Sequence, residues 1–370
     1  MLFYRMATIH DVAKLAGVST ATVSRSFVSS SALSRATRER VLEIAEGLNY
    51  RPRGAGSKRT EHTVSPAQSV AAKTIGFEYF SYALSDTLTT NGFYSVVLAG
   101  AQAEAADLGM HMLISTTHRH KPSAELPPMV RDSAVAGMLL VGTADPEILE
   151  SFVRYVPHIV LLDNRDVNGL HDSVFSDGFS GSYEATRHLL NLGHRQIGFM
   201  TSRATEVTLR DRFNGFICAH YHAGVPINAA NLLAFGKLED IANDFLNDNE
   251  LRTRLVDEVV EFLRRPHRPT AFVASNDDQA LMLMRACGIL NISIPHDLSI
   301  VGFDDIRAAS ATDPPLTTVH VDMMQLGRLA VRRLHGRIIA AQDGKKSDPA
   351  VFEQAPVKLI IRQSTAPVRR

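Results

Sequence analysis

Apolar residues in the first fifty positions recur at helical spacing, and the polar residues between them carry start and stop signals. Ile9, Val12, Ala13, Leu15 and Ala16 predict a short helix, capped by Thr8, with Asp11 in its first turn and Gly17 at its end. Ser19 opens a second helix through Val23 and Phe27. Ser34 opens a third, in which Val41, Ile44, Ala45 and Leu48 form the packed stripe before Asn49 and Pro52 end it. From residue 54 to 73 the composition shifts to Gly, Ser, Pro, Ala and Lys, punctuated by Gly54, Gly56 and Pro66, which predicts a linker. Short apolar runs then alternate with amphipathic segments. The pattern reads Thr74 to Phe80, a helix through Val97 and Ala105, Met110 to Ser115, Ala136 to Val141, His158 to Leu162, Gln196 to Met200, Ala271 to Ala274, and Ser299 to Phe303. Alternation of this kind predicts parallel sheets with helices on both faces.

The second helix has the chemistry of a groove reader. Thr20, Ala21, Thr22, Ser24 and Arg25 are small or polar, with one long guanidinium among them. Small residues at a helix start allow close approach to base edges, hydroxyls donate to phosphates, and arginine can grip guanine O6 and N7 with two hydrogen bonds. Charge supports that assignment. The 370-residue chain is neutral, with 39 basic and 39 acidic residues. Residues 1 to 60, however, hold 10 Lys or Arg against 4 Asp or Glu, an excess of six positive charges that the remainder cancels with 29 against 35. A basic end on an acidic body suits a molecule that displaces counterions from DNA at one end only.

Composition narrows the remaining classes. The chain is 45% hydrophobic and 21% charged, in the range of globular domains, and no run of about 20 apolar residues offers a membrane span. Met-Leu-Phe-Tyr-Arg-Met lacks the long apolar core of a secretory signal, and Met6 is an alternative start. Only Cys218 and Cys287 occur, without paired spacing, so neither a disulfide framework nor a thiolate metal site is expected and a cytoplasmic location fits. His118 with His120, and His220 with His222, have a spacing that invites a metal reading. Without supporting Cys or carboxylates they are expected to be solvated surface histidines, and no metal or cofactor is expected.

In doubly wound sheets ligands bind beyond the carboxyl ends of the strands. Asp163, Asn276 with Asp277, and Asp304 with Asp305 each follow an apolar run at such an end. One acidic residue there commonly caps the next helix; recurrence at several strand ends argues for a polar pocket. Arg212 would supply a charge-assisted donor opposite these acceptors, the set that grips a polyhydroxylated or nucleobase-like ligand.

The motifs also carry a resemblance. Ile9-x-Asp11-Val12-Ala13-x-x-Ala16-Gly17-Val18-Ser19-x-x-Thr22-Val23-Ser24-Arg25, Thr37-Arg38-Glu39-Arg40-Val41 and Leu48-Asn49-Tyr50-Arg51-Pro52 closely resemble the head of the lactose-repressor and galactose-repressor (LacI-type) family of bacterial transcription regulators. In the body, Leu190-x-x-Gly193-His194-Arg195-x-Ile197, Arg210 to Phe216, Ser275-Asn276-Asp277, Gly302-Phe303-Asp304-Asp305 and Pro314-Pro315-Leu316-Thr317-Thr318-Val319 extend the likeness over about residues 8 to 363. The resemblance implies a small all-α helix-turn-helix head plus an α/β body, its two doubly wound parallel-sheet lobes of the periplasmic-binding-protein type. It implies base reading by Thr20, Ala21 and Arg25, and phosphate contact by Ser19, Thr22, Ser24 and His10. It implies an effector cleft lined by Asp163, Arg212, Asn276 and Asp304, with Phe93 and Tyr94 able to stack on a ring. The Pro-Pro-Leu-Thr-Thr segment resembles a crossover between lobes. The expected domains are a head at 1–53, a linker at 54–73, a first lobe at 74–175 and 320–347, and a second at 176–319 and 348–370.

Two departures stand out. The family's hinge helix, with a leucine that wedges into the minor groove, would fall where this chain has Arg53, Gly56, Ser57 and Arg59. Two glycines cost a short helix roughly 1 kcal/mol each, and Arg59 is no apolar wedge. A flexible basic tether is the expectation; Arg59 entering a narrow minor groove is the alternative. Val28 stands where an asparagine normally follows the recognition helix. The expected function is a repressor binding a palindromic DNA operator as a homodimer, under control of a small-molecule effector, with a sugar favoured over a nucleoside or purine. The alternative is a periplasmic-type solute-binding protein, disfavoured by the basic head. An enzyme is not expected, since no phosphate-binding Gly-rich motif or nucleophile elbow is visible.

Overall fold

The chain divides at residue 65 into two compact units, and the described residues of the first form three short helices. The computed structural model describes residues 8–27, 33–48, 71–81, 88–89, 91–118, 126–143, 146–166, 168–201, 207–234, 248–345 and 348–369. Most of the 54–73 linker, with Arg59, lies outside the described residues, as do Val28 and the side chains of His10 and His118.

In the head, α1 (Ile9–Ala16), α2 (Thr20–Ser26) and α3 (Arg35–Gly47) each start at a hydroxyl residue. The Asp11 carboxylate accepts from the Thr8 backbone N–H and hydroxyl, both at 2.7 Å. Gly17 takes the left-handed conformation, φ 65°, that ends α1 without a Cβ penalty. Ser19 Oγ accepts from Thr22 N–H at 3.1 Å, and Ser34 Oγ from Thr37 N–H at 3.2 Å. Val12, Ala13, Ala16, Val23, Val41 and Ala45 form the buried core. Leu15 corrects the expected stripe, being 58% exposed. At 100° per residue it points roughly 110° away from the mean direction of Ile9, Val12, Ala13 and Ala16.

The body alternates strands and helices. The first half runs β1 (Thr74–Ser81), α4 (Tyr94–Asp107), β2 (His111–His118), α5 (Pro128–Arg131), β3 (Gly137–Val141), α6 (Pro146–Val153), β4 (Ile159–Leu162) and β5 (Asp172–Ser176). The chain crosses at Asp177 into α7 (Gly178–Asn191), β6 (Ile197–Thr201), α8 (Val207–His222), β7 (Leu232–Ala234), α9 (Asp248–Leu263) and β8 (Ala271–Ala274). There follow α10 (Asp277–Leu290), β9 (Ser299–Asp304), α11 (Arg307–Ala311) and β10 (Thr317–Val321). It returns at Asp322 as α12 (Met323–Gln342) and β11 (Phe352–Ala355), and ends in β12 (Val357–Ile360). Two six-stranded sheets result, ordered β11-β5-β4-β3-β1-β2 and β12-β10-β9-β8-β6-β7. All pairs are parallel except β10 with β12. Asp177 and Asp322, where the chain changes sheets, cap the helices that follow by accepting from Ser180 N–H at 3.0 Å and Gln325 N–H at 2.9 Å.

The third crossing differs from expectation. Residues 348–370 are expected in the second lobe, yet β11 pairs with β5 in the first sheet, and the chain changes sheets only after Ala355. The cause is a guanidinium anchor. Arg337 on α12 donates Nε and Nη2 to Asp172 at 2.7 and 2.6 Å, and also donates to the carbonyls of Asp348 and Pro349. Val351 N–H adds a bond to Asp172 at 2.8 Å, which starts β11 beside β5. Burial opposes the charge on Asp172, but these donors hold its pKa below the ordinary carboxylate range. Similarly, Pro314 and Pro315 precede β10 within the second sheet, so the crossover comes after that strand.

One carboxyl group locks the second sheet to the helix that follows β8. Asp277, fully buried, accepts from the Thr318 hydroxyl at 2.6 Å and from Ile306 N–H at 2.9 Å. A Cβ on Gly302 would lie 2.1 Å from Asp277 Oδ1, so the strand residue opposite must be glycine. In the first sheet Glu78 is fully buried on β1, opposite Ser115 of β2. Burial pushes its pKa from 4.5 to about 7, only partly offset by the Thr117 and Ser115 hydroxyls. No helix among the described residues is long and apolar enough to cross a membrane.

Two outcomes are expected. Gly302→Ala should lose about 2–4 kcal/mol in urea unfolding, because the methyl displaces Asp277 from both donors; an unchanged midpoint would contradict the close approach. Glu78, with its folded pKa raised, favours the fold fully below pH 4.5 and loses that contribution as pH climbs towards 7. Glu78→Gln should therefore gain about 3 kcal/mol over the parent at pH 8 and little at pH 4.5, read from paired melts. Equal gains at both pH values would show that Glu78 does not titrate in this window.

Candidate functional site

Two surfaces have chemistry in reserve, one on each unit. On the head, α2 buries Val23 and Ser26 and turns Ala21 and Arg25 outward, with Thr20, Thr22 and Ser24 half-buried. Ser26 is held down by donating to the Thr22 carbonyl at 2.8 Å. Ser19 and Thr22 share a hydroxyl contact at 2.9 Å, and Arg25 Nε rests on its own helix at the Ala21 carbonyl, 3.3 Å away. The face thus presents a methyl, hydroxyls and a guanidinium that, among the described residues, bonds to its own helix.

The second surface lies between the body's two sheets, at the carboxyl ends of their strands. Asp163 follows β4 with φ 56°, and Asp304 ends β9 with φ 109°, a conformation strained for any residue with a side chain. In the first lobe Asn91 accepts from the N–H groups of Phe93 and Tyr94 at 3.0 and 2.9 Å, which starts α4. That start aims Tyr94 so that its hydroxyl donates to Asp163 Oδ2 at 2.7 Å. Tyr94 also packs on Tyr79 and edge-on against Phe93, at centroid distances of 4.9 and 5.1 Å. Phe93 is itself 8% exposed, so most of its ring already serves the core.

In the second lobe Arg212 reaches inward from α8 and is 3% exposed. Its Nη1 donates to the Ser275 carbonyl, its Nη2 lies 3.0 Å from Asp304 Oδ1, and its guanidinium carbon sits 3.8 Å above the Phe303 ring. Burial drives the Asp304 carboxyl well above the usual range; Arg212 opposes this, while Asp277, Asp163 and Asp278 add to it. Asn276 spends its side-chain oxygen on Gln279 N–H at 3.0 Å, as the cap of α10.

Two residues outside the expected set join the lobes. Arg165, just beyond Asp163, pairs with Asp211, next to Arg212, at 3.5 Å across the cleft. Burial raises the Asp211 carboxyl, with Arg165 and Arg210 pulling the other way. The signal was available, since each adjoins or nearly adjoins a cleft residue in sequence, but nothing local says that they meet. His120 and the side chain of His118 lie outside the described residues, and among the described residues no group of three or more His, Cys, Asp or Glu could hold a metal ion. His220 corrects the expectation of a solvated side chain, being 1% exposed and bonded to the Val225 carbonyl at 3.2 Å, with burial lowering its pKa.

Comparison with known proteins agrees with this architecture. The model for bacterial regulatory proteins of the lacI family matches residues 8–53, and a periplasmic binding protein-like domain matches residues 186–365. The chain is 31% identical over 365 residues to the HTH-type transcriptional repressor PurR of Mannheimia succiniciproducens, covering 97% of this chain and 98% of that one. Among solved structures, the lac repressor dimer bound to operator and the anti-inducer ONPF is similar at 25% identity with a TM-score of 0.62, covering 98% and 100% of the two chains. The complex of the transcriptional regulator CelR with cellobiose shares the fold at 24% identity with a TM-score of 0.68, covering 97% and 99%. Head, body and end-to-end likeness together make this chain a member of the lacI family of bacterial regulatory proteins, a helix-turn-helix DNA-binding transcriptional repressor with an effector-binding body and not an enzyme.

Proposed function

We propose that two copies of the chain act together in the cytoplasm, each head reading one half of a palindromic operator, and that a neutral polyhydroxylated ligand, a sugar, binds between the lobes. Within the head the readers are Thr20, Ala21 and Arg25, with Ser19, Thr22, Ser24 and His10 on phosphate. Pairing follows from the size of the reading face, since one short helix contacts few bases and two tethered heads add their affinities.

The observation that carries the ligand class is the Arg212–Asp304 pair beneath Asp163. The two guanidinium groups there, Arg212 and Arg165, are each already paired with a carboxylate, Asp304 and Asp211, which leaves little cationic charge for a phosphate or carboxylate group, whereas vicinal hydroxyls can donate to Asp163 and Asp304. Phe93 and Tyr94 would then cover the apolar face of a ring, and Asn276 would line the edge. A LacI family transcriptional regulator from Enterococcus faecium, similar at 25% identity with a TM-score of 0.65, is solved with bound ribose, which supports a sugar here. Closing of the lobes over ligand would move the start of β1, and with it the linker.

The test separates the two surfaces. Operator fragments selected from genomic DNA are titrated by fluorescence anisotropy, and sugars and nucleosides are screened by thermal shift. Arg25→Ala should weaken specific binding by about ten- to a hundredfold, the worth of one good bidentate base contact, while every ligand shift persists. Asp304→Asn should do the opposite, abolishing the ligand shift and keeping operator affinity. A nucleoside that shifts the protein where no sugar does would overturn the ligand class, and monomeric operator binding in sedimentation would overturn the pairing.

A further inference from the structure

The amino end of the first sheet holds a hollow of about 450 Å³ that the cleft does not use. It lies between α12 and the segment that leads into β11, with His158, the residue before β4, on one side. β4 separates it from Asp163, so the hollow and the cleft sit at opposite ends of one strand, roughly 16 Å apart at strand rise. The chain enters β1 at this same end, because β1, β3 and β4 run parallel.

Its floor is open because of a glycine. Gly327, earlier on α12, is required by packing: a Cβ there would lie 2.1 Å from the Val97 carbonyl. Gly336 has no such reason, since a Cβ would meet nothing within 4 Å. A mid-helix glycine weakens the helix, and at Gly336 the missing side chain leaves space above Ala340 instead of making a contact.

The walls are cationic. Among the described residues, Arg332, Arg333, Arg337 and Lys345 line the hollow, with Asp348 and Glu353 as the carboxylates of its wall. Arg337 is saturated by Asp172 and two carbonyls and acts as a fixed post. Arg332 commits Nε and Nη2 to Glu104 on α4, at 2.6 and 3.0 Å, and its Nη1 takes no part in that pair. Among the described residues Arg333 makes one contact, Nη2 to Glu353 at 3.2 Å, and Lys345 one, to Asp343 at 3.0 Å. The carboxylates of those last two pairs are 32% and 52% exposed, and such pairs contribute little, so an incoming anion can displace them. Two guanidinium forks and an ammonium around an open floor match the geometry of a phosphoryl group, which offers several acceptor oxygens at once.

We infer that this hollow binds a small phosphorylated metabolite, making a second ligand site distinct from the cleft and opposite to it in charge preference. An anion there would bridge α12 to the segment before β11, at the end of the lobe where the linker arrives.

Titration calorimetry on the full-length protein at constant ionic strength, with inorganic pyrophosphate and phosphate as probes, tests this. Pyrophosphate should bind saturably and more tightly than phosphate. Gly336→Leu, which fills the floor and keeps every charge, should weaken binding about tenfold or more, as should Arg333→Gln combined with Lys345→Gln. Asp304→Asn in the cleft should leave it unchanged. Melting curves without ligand confirm that each variant is folded. The site is overturned if the parent shows no saturable binding to millimolar concentration, if folded hollow variants bind as the parent does, or if only the cleft variant loses binding.

Discussion

A parallel sheet is covered on both faces, and that constraint decides where everything else in the body can be. Interior strands such as Gly137–Val141, Ile159–Leu162 and Ala271–Ala274 are buried along their whole length and carry no polar side chain. Polar chemistry is displaced to the strand ends. At the carboxyl ends stand Asp163, Ser275, Asn276 and Asp304; at the amino ends stand Thr74, His158 and Asp172. The cleft and the cationic hollow are the two consequences of one architectural rule, and the acidic character of the first contrasts with the basic character of the second.

Carboxylates caught inside this framework are handled in two ways. Glu104 and Asp172 meet arginines from α12, and both are held below the ordinary range, Glu104 chiefly by its bonds to Arg332. These pairs fix α12 to α4 and β11 to β5, so the long helix that returns from the second lobe is fastened at both ends. Asp277 accepts from one hydroxyl and one backbone N–H, neither oxygen of Glu78 has a hydrogen-bond partner among the described residues, and burial raises both carboxyls to about 7. Asp304 falls between, facing a guanidinium yet pushed upward by burial and by acidic neighbours. A carboxyl so placed gains most from a partner that donates hydrogen bonds without bringing more negative charge.

The head was legible almost residue by residue, because its signals are local. Each helix start is a hydroxyl residue bonded to a group three positions on, and Gly17 is a single-residue stop. Leu15 escaped because a simple count of apolar residues ignores the 100° step that turns it out of the stripe. The long apolar strands were legible for the same reason as the head: β1, β3, β4, β6, β8 and β9 bury both faces and so read as continuous runs. The strands Asp172–Ser176 and Phe352–Ala355 mix polar and apolar residues and exist because a neighbour pairs with them, which no local pattern reports.

What the chain determined by itself was therefore the identity of its parts: three capped helices with a basic reading face, repeated strand-helix units, and acidic residues at strand ends. Spacing and residue type suffice for these, since caps, periods and turns act over three or four residues. Tertiary structure alone decided which parts meet. It brought Arg165 to Asp211 across the lobes, set Arg337 on Asp172 so that β11 joined the first sheet, and placed Gly302 under Asp277. Each of these joins residues from 25 to 165 positions apart, and the physical reason is common to all three: a buried or half-buried charge takes the partner that the packing of whole sheets and helices delivers, not the one nearest in sequence.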